Sequence, residues 1–204
     1  MGKTKFIFST ILAVGFAAGS VFTNFTLTSS PVICFKENTK ILCYDGEKEK
    51  EINVQDLKKN ILVKTLCNGY LPVNVVGKNT CYNPKTNERV KDRLYKLSKD
   101  KYPELKEDLI ITGCHSILVD HINDEQRSKI NKDLGRVYVT DGKYRLMTYI
   151  DDRSDVYKEE CGEIDVYHVA LGSDESRNYG IYANGLLVES CFINRIKNEM
   201  NVIS

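Results

Sequence analysis

The chain has no excess of charge of either sign. Its 29 Lys and Arg residues stand against 28 Asp and Glu residues, which gives a net charge of +1 over 204 residues. Acids and bases are also interspersed along the chain. A protein that binds a polyanion by electrostatics needs a basic face. The sequence therefore argues against a dedicated nucleic-acid surface, and we predict no nucleic-acid partner.

Cys-x-x-Cys pairs are missing as well. The seven cysteines are scattered and odd in number, and they stand at positions 34, 43, 67, 81, 114, 161 and 191. Zinc knuckles need closely spaced ligand pairs, and a closed disulfide framework needs an even number of cysteines. We predict neither, and the sequence indicates no metal and no cofactor. At least one thiol must stay unpaired within the chain.

Helical patterns are scarce, and internal repeats and low-complexity tracts are absent. From Thr39 onward, β-branched and aromatic residues form short runs between turn residues, which is typical of an all-β domain. The predicted strands are residues 40–44, 50–53, 61–65, 71–76, 93–98, 109–112, 116–119, 136–140, 143–149, 164–171, 179–183 and 186–189. Tight turns are predicted at Asp45-Gly46, Asn68-Gly69, Asp141-Gly142 and Asn184-Gly185. One helical insertion is predicted over residues 123–134, and a shorter helix after Asn194.

The first 33 residues differ in composition from the body. Lys3 and Lys5 precede an uncharged apolar stretch at residues 6–22, and uncharged Ser/Thr-rich residues follow. This is a targeting pattern. A cleaved signal peptide and a retained membrane anchor both remain open, and either one predicts membrane association or the secretory pathway. An ordinary buried N-terminal element is a third alternative. The predicted organisation is a targeting segment with a short linker (1–33), one domain (34–191) and a C-terminal tail (192–204).

Cys34 stands where the apolar N-terminal segment meets the predicted β domain. A thiol at the first residue of a fold can attack the preceding carbonyl carbon and exchange the peptide bond for a thioester. That exchange needs an oxyanion stabiliser and an acid that protonates the departing nitrogen. Thr112 and His115 could supply these groups, the threonine hydroxyl or amide at the carbonyl oxygen and the imidazole at the nitrogen. Thr-x-x-His alone is a weak signal.

Several motifs, taken in order, make the pattern more specific, because together they resemble the hedgehog/intein (Hint) family and cover nearly all of residues 34–191. The matching blocks are Cys34-Phe35-x-x-x-Thr39-x-Ile41-Leu42, Val54-x-Asp56-Leu57 with Val63, Leu109-Ile110-Ile111-Thr112-Gly113-Cys114-His115, Val166-Tyr167-His168-Val169 and Tyr182-Ala183-Asn184-Gly185-Leu186-Leu187-Val188. The run Tyr179-Gly180-Ile181-Tyr182-Ala183-Asn184-Gly185 is also similar to stand-alone Hint proteins of large DNA viruses of eukaryotes.

The resemblance implies an all-β, horseshoe-shaped fold with pseudo-twofold symmetry and Cys34 as its nucleophile. Its implied substrate is the protein's own N-terminal segment, cleaved at the Ile33–Cys34 bond. Family members of viral origin add the virion of a large DNA virus as an expected location.

The ending departs from the intein pattern. An intein ends in His-Asn before a Cys, Ser or Thr, and cyclisation of the asparagine cuts the downstream bond, whereas this chain has Glu189-Ser190-Cys191. Serine has no amide to cyclise, so we expect no full splicing. Residues 192–204 do not resemble a lipid-recruiting region, so sterol transfer is not expected. The predicted acyl acceptors are water, a thiol or an amine, with Cys191 as an internal relay.

Four further residues have less certain roles. His168 occupies a position where many inteins carry an aspartate, and it is a second candidate proton donor or a half-buried strand residue. Asp100 is a candidate for the central-strand aspartate that hedgehog-type domains use as a base. Cys114 is expected to be a small buried hydrophobe, and His121 a surface residue.

Two other functions compete with self-cleavage. A Hint scaffold without turnover could serve as an interaction module attached to a virion or a membrane, and the missing terminal asparagine favours it. A cysteine peptidase acting in trans would also use Cys and His, but no substrate-binding segment supports it.

Overall fold

The computed structural model describes residues 33–204, so the apolar segment at residues 6–22 lies outside the described part. The described chain is mostly antiparallel β-sheet, which confirms the all-β prediction. Its strands are β1 (Phe35–Lys36), β2 (Lys40–Tyr44), β3 (Glu49–Asn53), β4 (Leu62–Lys64), β5 (Tyr70–Asn83), β6 (Leu94–Leu97), β7 (Leu109–Thr112), β8 (Ser116–Val119), β9 (Val139–Thr140), β10 (Lys143–Met147), β11 (Asp155–Val156), β12 (Gly162–Leu171), β13 (Gly180–Ala183), β14 (Leu186–Glu189) and β15 (Asn201–Val202).

Two α-helices accompany the sheet, α1 (Asp124–Leu134) and α2 (Ile193–Glu199), together with a 3₁₀ turn at Val54–Asp56. The predicted insertion is α1. Its cap residue Asn123 accepts a hydrogen bond from the Gln126 amide, and the Gln126 side chain bonds back to the Asn123 amide. Gly135 ends the helix at φ 75°. In residues 33–204 neither helix is long and apolar enough to cross a membrane.

The four predicted turn dipeptides all carry glycine at positive φ, namely Gly46 (102°), Gly69 (62°), Gly142 (79°) and Gly185 (94°). In two of them the preceding residue also has positive φ, 49° at Asp141 and 48° at Asn184. This is the backbone that a two-residue hairpin requires. These turns join β9 to β10 and β13 to β14.

Strand β5 is much longer than the predicted strand at residues 71–76. Its polar second half was not expected to be extended, but β12 pairs with it from Val73 to Asn83. Because β12 is distant from β5 in the sequence, local β-propensity does not predict this pairing. The first residues of β5 pair instead with β4, so the strand joins two parts of the sheet.

The strand order along the sheet is β11-β6-β7-β1-β12-β5-β4-β2-β13-β14-β8-β10-β9, and it does not close into a barrel. Strand β1 lies between β7 and β12, with Phe35 opposite Ile111 and Tyr167. Strand β14 lies beside β8, with Val188 opposite Ile117. The order thereby brings the start of β1, the end of β7 and the middle of β12 to one place.

The C-terminal residues 192–204 pack on the body. Helix α2 contacts β5 and β12, and β15 pairs with β5. Gly77 of β5 permits the close approach, because a Cβ atom there would lie 2.7 Å from Ile196 Cγ2 and 2.9 Å from Met200. Ile196 is fully buried by this contact.

Candidate active site at Cys34

Cys34 lies directly before β1 and is fully buried. Its amide N–H donates to Thr112 Oγ1 at 2.9 Å. Its carbonyl oxygen accepts from the Thr112 amide at 3.0 Å. Thr112 is the last residue of β7, and the pairing of Phe35 with Ile111 continues to this point. The nitrogen of the Ile33–Cys34 peptide bond is therefore fixed by the sheet itself.

This geometry differs from the expectation for Thr112. The sequence suggested that its hydroxyl or amide would face the carbonyl oxygen of Ile33. In the structure the amide bonds to the next carbonyl along, that of Cys34, because the β1–β7 pairing engages it. The Thr112 hydroxyl instead accepts the hydrogen bond from the Cys34 amide N–H. Thr112 thus contacts the leaving group of the expected reaction and not its oxyanion.

His115 is fully buried, and its ring packs against Phe35 with 4.4 Å between ring centroids. Nε2 lies 3.1 Å from the Glu189 carbonyl oxygen. A carbonyl only accepts, so Nε2 carries the proton and Nδ1 has a free lone pair. Nδ1 is buried and makes no hydrogen bond of normal geometry in residues 33–204, although the Cys34 backbone lies close enough to raise the pKa of the imidazole. Burial lowers the pKa of His115 to about 4, partly offset by the backbones of Cys34 and Glu189.

His168 is fully buried in β12, not half-buried as expected. Its Nδ1 accepts from the Val169 amide at 2.9 Å, so the proton lies on Nε2. That Nε2 is buried and has no partner among the described residues. Its ring lies 5.0 Å from that of His115 and 5.2 Å from that of Phe35. Burial, and then the charges of His115 and Arg195, hold the pKa of His168 well below its usual range.

The thiols of this site are protonated at neutral pH. Burial raises the pKa of Cys34 well above its usual value, and neighbouring Cys114, Cys191 and Cys81 raise it further. Burial also raises the pKa of Cys114 and of Cys191 to about 12. Cys114 is buried as expected, with Sγ 3.7 Å from Thr112 Oγ1. Cys34, Thr112, His115 and His168 are called the nucleophile cluster below.

A second polar group adjoins it, the carboxylate cluster of buried Ser116, Asn178 and Glu189 with half-buried Arg145. The Glu189 carboxylate accepts from the Ser116 amide and from the Asn178 side chain, both at 3.1 Å. Arg145 Nη1 lies 3.1 Å from it. Burial raises the pKa of Glu189, and this effect outweighs the lowering by the Arg145 charge and by the hydrogen bonds from Ser116.

Sequence reasoning did not identify the carboxylate cluster as a unit. Glu189 was expected only as the last residue of a strand, and Arg145 as one position of another. Their contact depends on β8 lying between β14 and β10. An acid at the end of an otherwise apolar strand was the only available signal.

Two of the sequence candidates lie outside the site. Asp100 is exposed in the turn that follows β6, so it does not occupy a central strand and cannot act as the buried base. The strand ends at Leu97 because the chain turns there, with the Lys101 and Tyr102 amides bonded back to the Ser98 carbonyl. His121 is exposed, as expected. No group of three or more His, Cys, Asp or Glu suited to a metal ion occurs in residues 33–204.

No protein-family model and no curated protein matches the chain. The nucleophile cluster joins a thiol, a hydroxyl on the peptide nitrogen and two neutral imidazoles with complementary unused atoms. Such a set can move a proton from a thiol to an amide nitrogen.

Proposed function

We propose that the chain is a self-processing domain of the Hint type that cleaves its own Ile33–Cys34 bond through a thioester at Cys34, without splicing. One observation carries the proposal: the Cys34 amide is held by Thr112 beside two buried imidazoles that each keep an unused nitrogen. Buried polar atoms without partners are rare and costly in native proteins. Four such atoms occur among the described residues, and two of them belong to this cluster, where the proposed reaction would supply the missing partner.

The open sheet supports the fold that this proposal requires. Strand β5 pairs first with β4 and then along most of its length with β12. It thereby joins a part of the sheet that carries β1, β7 and β12 to a part that carries β2, β8, β13 and β14. A horseshoe with pseudo-twofold symmetry needs such a shared strand between its halves.

The first step is an N-to-S acyl shift. Cys34 Sγ attacks the carbonyl carbon of Ile33, a C–S bond forms, and the C–N bond of the Ile33–Cys34 peptide breaks. The thiol proton ends on the Cys34 nitrogen, which becomes a free amine. Thr112 Oγ1 holds this nitrogen at 2.9 Å, and His115 Nδ1, which carries a lone pair in its neutral form, is the base that takes and returns the proton.

His168 is the proposed second proton donor. Its Nε2–H and the His115 Nδ1 lone pair are complementary, and the rings lie 5.0 Å apart. Each imidazole disfavours a charge on the other, so the pair holds at most one extra proton at a time. The raised pKa of Cys34 and the lowered pKa of His115 make the thiolate–imidazolium pair a minor species. The proposal therefore predicts slow cleavage.

The thioester is resolved by a second nucleophile. Its X–H group adds at the Ile33 carbonyl carbon, the C–S bond breaks, and the proton ends on Cys34 Sγ. Water, a thiol or an amine can fill this role, and buried Cys191 can act as an internal relay. The Ser190 hydroxyl accepts from the Tyr179 amide at 2.9 Å. It offers no amide that could cyclise, which supports cleavage without splicing.

Intact-mass analysis of the full chain tests the proposal. Wild type is incubated with and without dithiothreitol or hydroxylamine and compared with Cys34→Ala. We expect the wild type to release a body that begins at Cys34, faster with either nucleophile, and Cys34→Ala to stay whole. Cys43→Ala is the matched control, because Cys43 is also fully buried but lies on β2. An uncleaved wild type under every condition would rule out self-cleavage.

One observation favours the rival scaffold. Cys34 is fully buried and its thiol is protonated, as in a domain that keeps its structure without turnover. In that case the intact chain, with residues 1–33 attached, would serve as an interaction module on a membrane or a virion. The same mass analysis separates the two functions, because the scaffold predicts identical masses for wild type and Cys34→Ala after correction for the substitution.

A further inference from the structure

The connection from α1 to β9, residues 134–139, presents apolar side chains to solvent. Leu134 is 42% exposed and Val139 is 52% exposed, although most large apolar side chains of the described chain are buried. Val137 and Tyr138, which lie between them, are half-buried. Gly135 ends the helix at φ 75° and lets the chain turn outward there. The connection is therefore an apolar projection on a charged surface.

The same connection carries positive charge that is not neutralised by an ion pair. Arg136 is exposed within it, and Lys132 is exposed just before it. Neither side chain has an ion pair among the described residues, and the Arg136 guanidinium lies over the Tyr138 ring, 4.6 Å from its centroid. Both cations are thus available to a partner.

The acids on either side of the connection are already bound. Asp133 pairs with Lys91 at 3.7 Å. The Asp141 side chain is only 4% exposed, and it accepts from the Gly180 amide at 2.8 Å. No acid occurs in the sequence between these two aspartates. The connection therefore offers a partner no free carboxylate.

The other acids near α1 are balanced by other cations. Glu125 pairs with Lys129 at 2.8 Å. Asp152 shares one surface pocket with three cations, Arg89, Lys129 and Lys132. The acids of the first turn of α1 lie about 15 Å from its last residue. Apolar surface and positive charge are thus what the connection presents.

The connection also lies beside the point where the N-terminal segment joins the body. Leu134 and Tyr138 line the same cavity as Ile33, the first described residue. Residues 23–33 can span at most about 40 Å, which limits the distance between the apolar stretch at residues 6–22 and this face. If that stretch associates with a membrane, as the sequence predicts, the body is tethered by this face.

We propose that the connection docks on an anionic membrane surface. Leu134 and Val139 enter the headgroup layer, and Lys132 and Arg136 bind the anionic groups of the lipids. Apolar side chains beside unpaired cations are the combination that holds peripheral segments on such surfaces. The inference goes beyond the proposed function and does not require cleavage at Cys34.

A fluorescent reporter in the connection tests the inference. The chain contains no tryptophan, so Leu134→Trp supplies a single one. The full chain also carries Cys34→Ala, which keeps residues 1–33 attached in every sample. Emission, and its quenching by lipids brominated near the headgroup, is measured with phosphatidylcholine vesicles and with vesicles that contain about one quarter phosphatidylserine. We expect the anionic vesicles to shift the emission to shorter wavelength and to quench it about fivefold more than the neutral ones.

Two controls separate docking from general adsorption. Tyr82→Trp places the reporter at a residue that is 65% exposed and lies opposite Glu163, and its emission should not distinguish the two kinds of vesicle. In the Leu134→Trp chain, Lys132→Gln/Arg136→Gln should weaken docking about 25-fold, because each cation near an anionic surface contributes about fivefold.

The matched double variant Lys58→Gln/Lys59→Gln removes the same charge from another exposed site and should keep the quenching. All four of these side chains are exposed, so the substitutions should leave the fold unchanged.

Several results would overturn the inference. One is an emission of Leu134→Trp that is the same with and without anionic vesicles, and another is an equal change with neutral vesicles or in Tyr82→Trp. Equal losses in the two double variants would also contradict it. A shift that appears without lipid and grows with protein concentration would identify a second copy of the chain as the occupant instead. Cleavage is measured separately in the wild type, so none of these results decides the proposed function.

Discussion

The two polar clusters differ in how completely their atoms are bonded. In the carboxylate cluster each polar side-chain atom has a partner, and Arg145 also donates to Thr140 and Asn178, both at 2.6 Å. In the nucleophile cluster His115 Nδ1 and His168 Nε2 have none among the described residues. The clusters touch through one hydrogen bond, from His115 Nε2 to the Glu189 carbonyl. The almost fully buried groups of the two clusters, Glu189 in one and the two imidazoles in the other, therefore differ in bonding. This difference is what the proposal of a structural role for one cluster and a chemical role for the other expects.

The difference follows from what each cluster must do. A satisfied buried network fixes one arrangement of the strands, and each deletion in it leaves a group without its partner. A reactive site must keep some hydrogen-bonding groups unpaired, so that they can bind the atoms whose bonds change during the reaction. Native proteins tolerate local conflicts of this kind mainly at functional sites. The stability of the two clusters is compared in the Cys34→Ala background, where cleavage cannot interfere with unfolding measurements.

The largest effect is expected from Arg145→Met. The Glu189 carboxylate is almost fully buried and would lose its counter-ion, which costs about 3–5 kcal/mol in comparable buried pairs. Denaturant unfolding measures the change in free energy. The control Lys197→Met breaks the exposed pair with Glu175 and should cost less than about 1 kcal/mol. Equal costs for both variants would contradict a structural role for the carboxylate cluster.

An intermediate effect is expected from pH, with opposite signs for the two clusters. The folded pKa of His115 is about 4, against 6.5 for an unperturbed imidazole, so the unfolded chain binds this proton first as the pH falls. From pH 7 to pH 5 this removes about 2 kcal/mol of stability, and His168 adds to the loss. The Glu189 pKa is raised on folding, so protonation there favours the folded state and opposes the loss.

Unfolding at pH 7 and at pH 5 measures both contributions. His115→Gln should reduce the loss of stability between the two pH values. Glu189→Gln should enlarge it, because the opposing carboxyl is gone. If the two variants change the pH dependence in the same direction, the assignment of opposite signs is wrong.

Sequence and structure agree most where the information is local. The turn dipeptides and helix α1 depend on neighbouring residues, and all of them form as predicted. The Thr112-Gly113-Cys114-His115 motif was visible too, but the reason for its glycine was not. A Cβ on Gly113 would lie 2.7 Å from Tyr95 Cε2 and 2.9 Å from the carbonyl oxygens of Val90 and Lys91. That crowding arises only when the sheet is assembled.

The features that sequence could not supply are pairings between distant strands. The second half of β5 is extended because β12 lies beside it. His168 is fully buried because Phe35 and His115 pack on its ring. Glu189 of β14 contacts Arg145 of β10 because the two strands flank β8, one on each side. Each depends on register across the sheet, which a single sequence does not encode locally.

The smallest effect on the free energy of unfolding is expected from His168→Leu. This variant also gives the sharpest contrast between an unpaired buried group and an ordinary core residue. The substitution removes a buried donor that has no partner, so the gain offsets much of the lost hydrogen bond to the Val169 amide. We expect a change of less than about 1 kcal/mol, although the residue is fully buried. Leu171→Ala on the same strand, equally buried, should cost about 2–5 kcal/mol. With Cys34 restored, His168→Leu should slow release of the body. A large loss of stability with normal release would make His168 a structural residue.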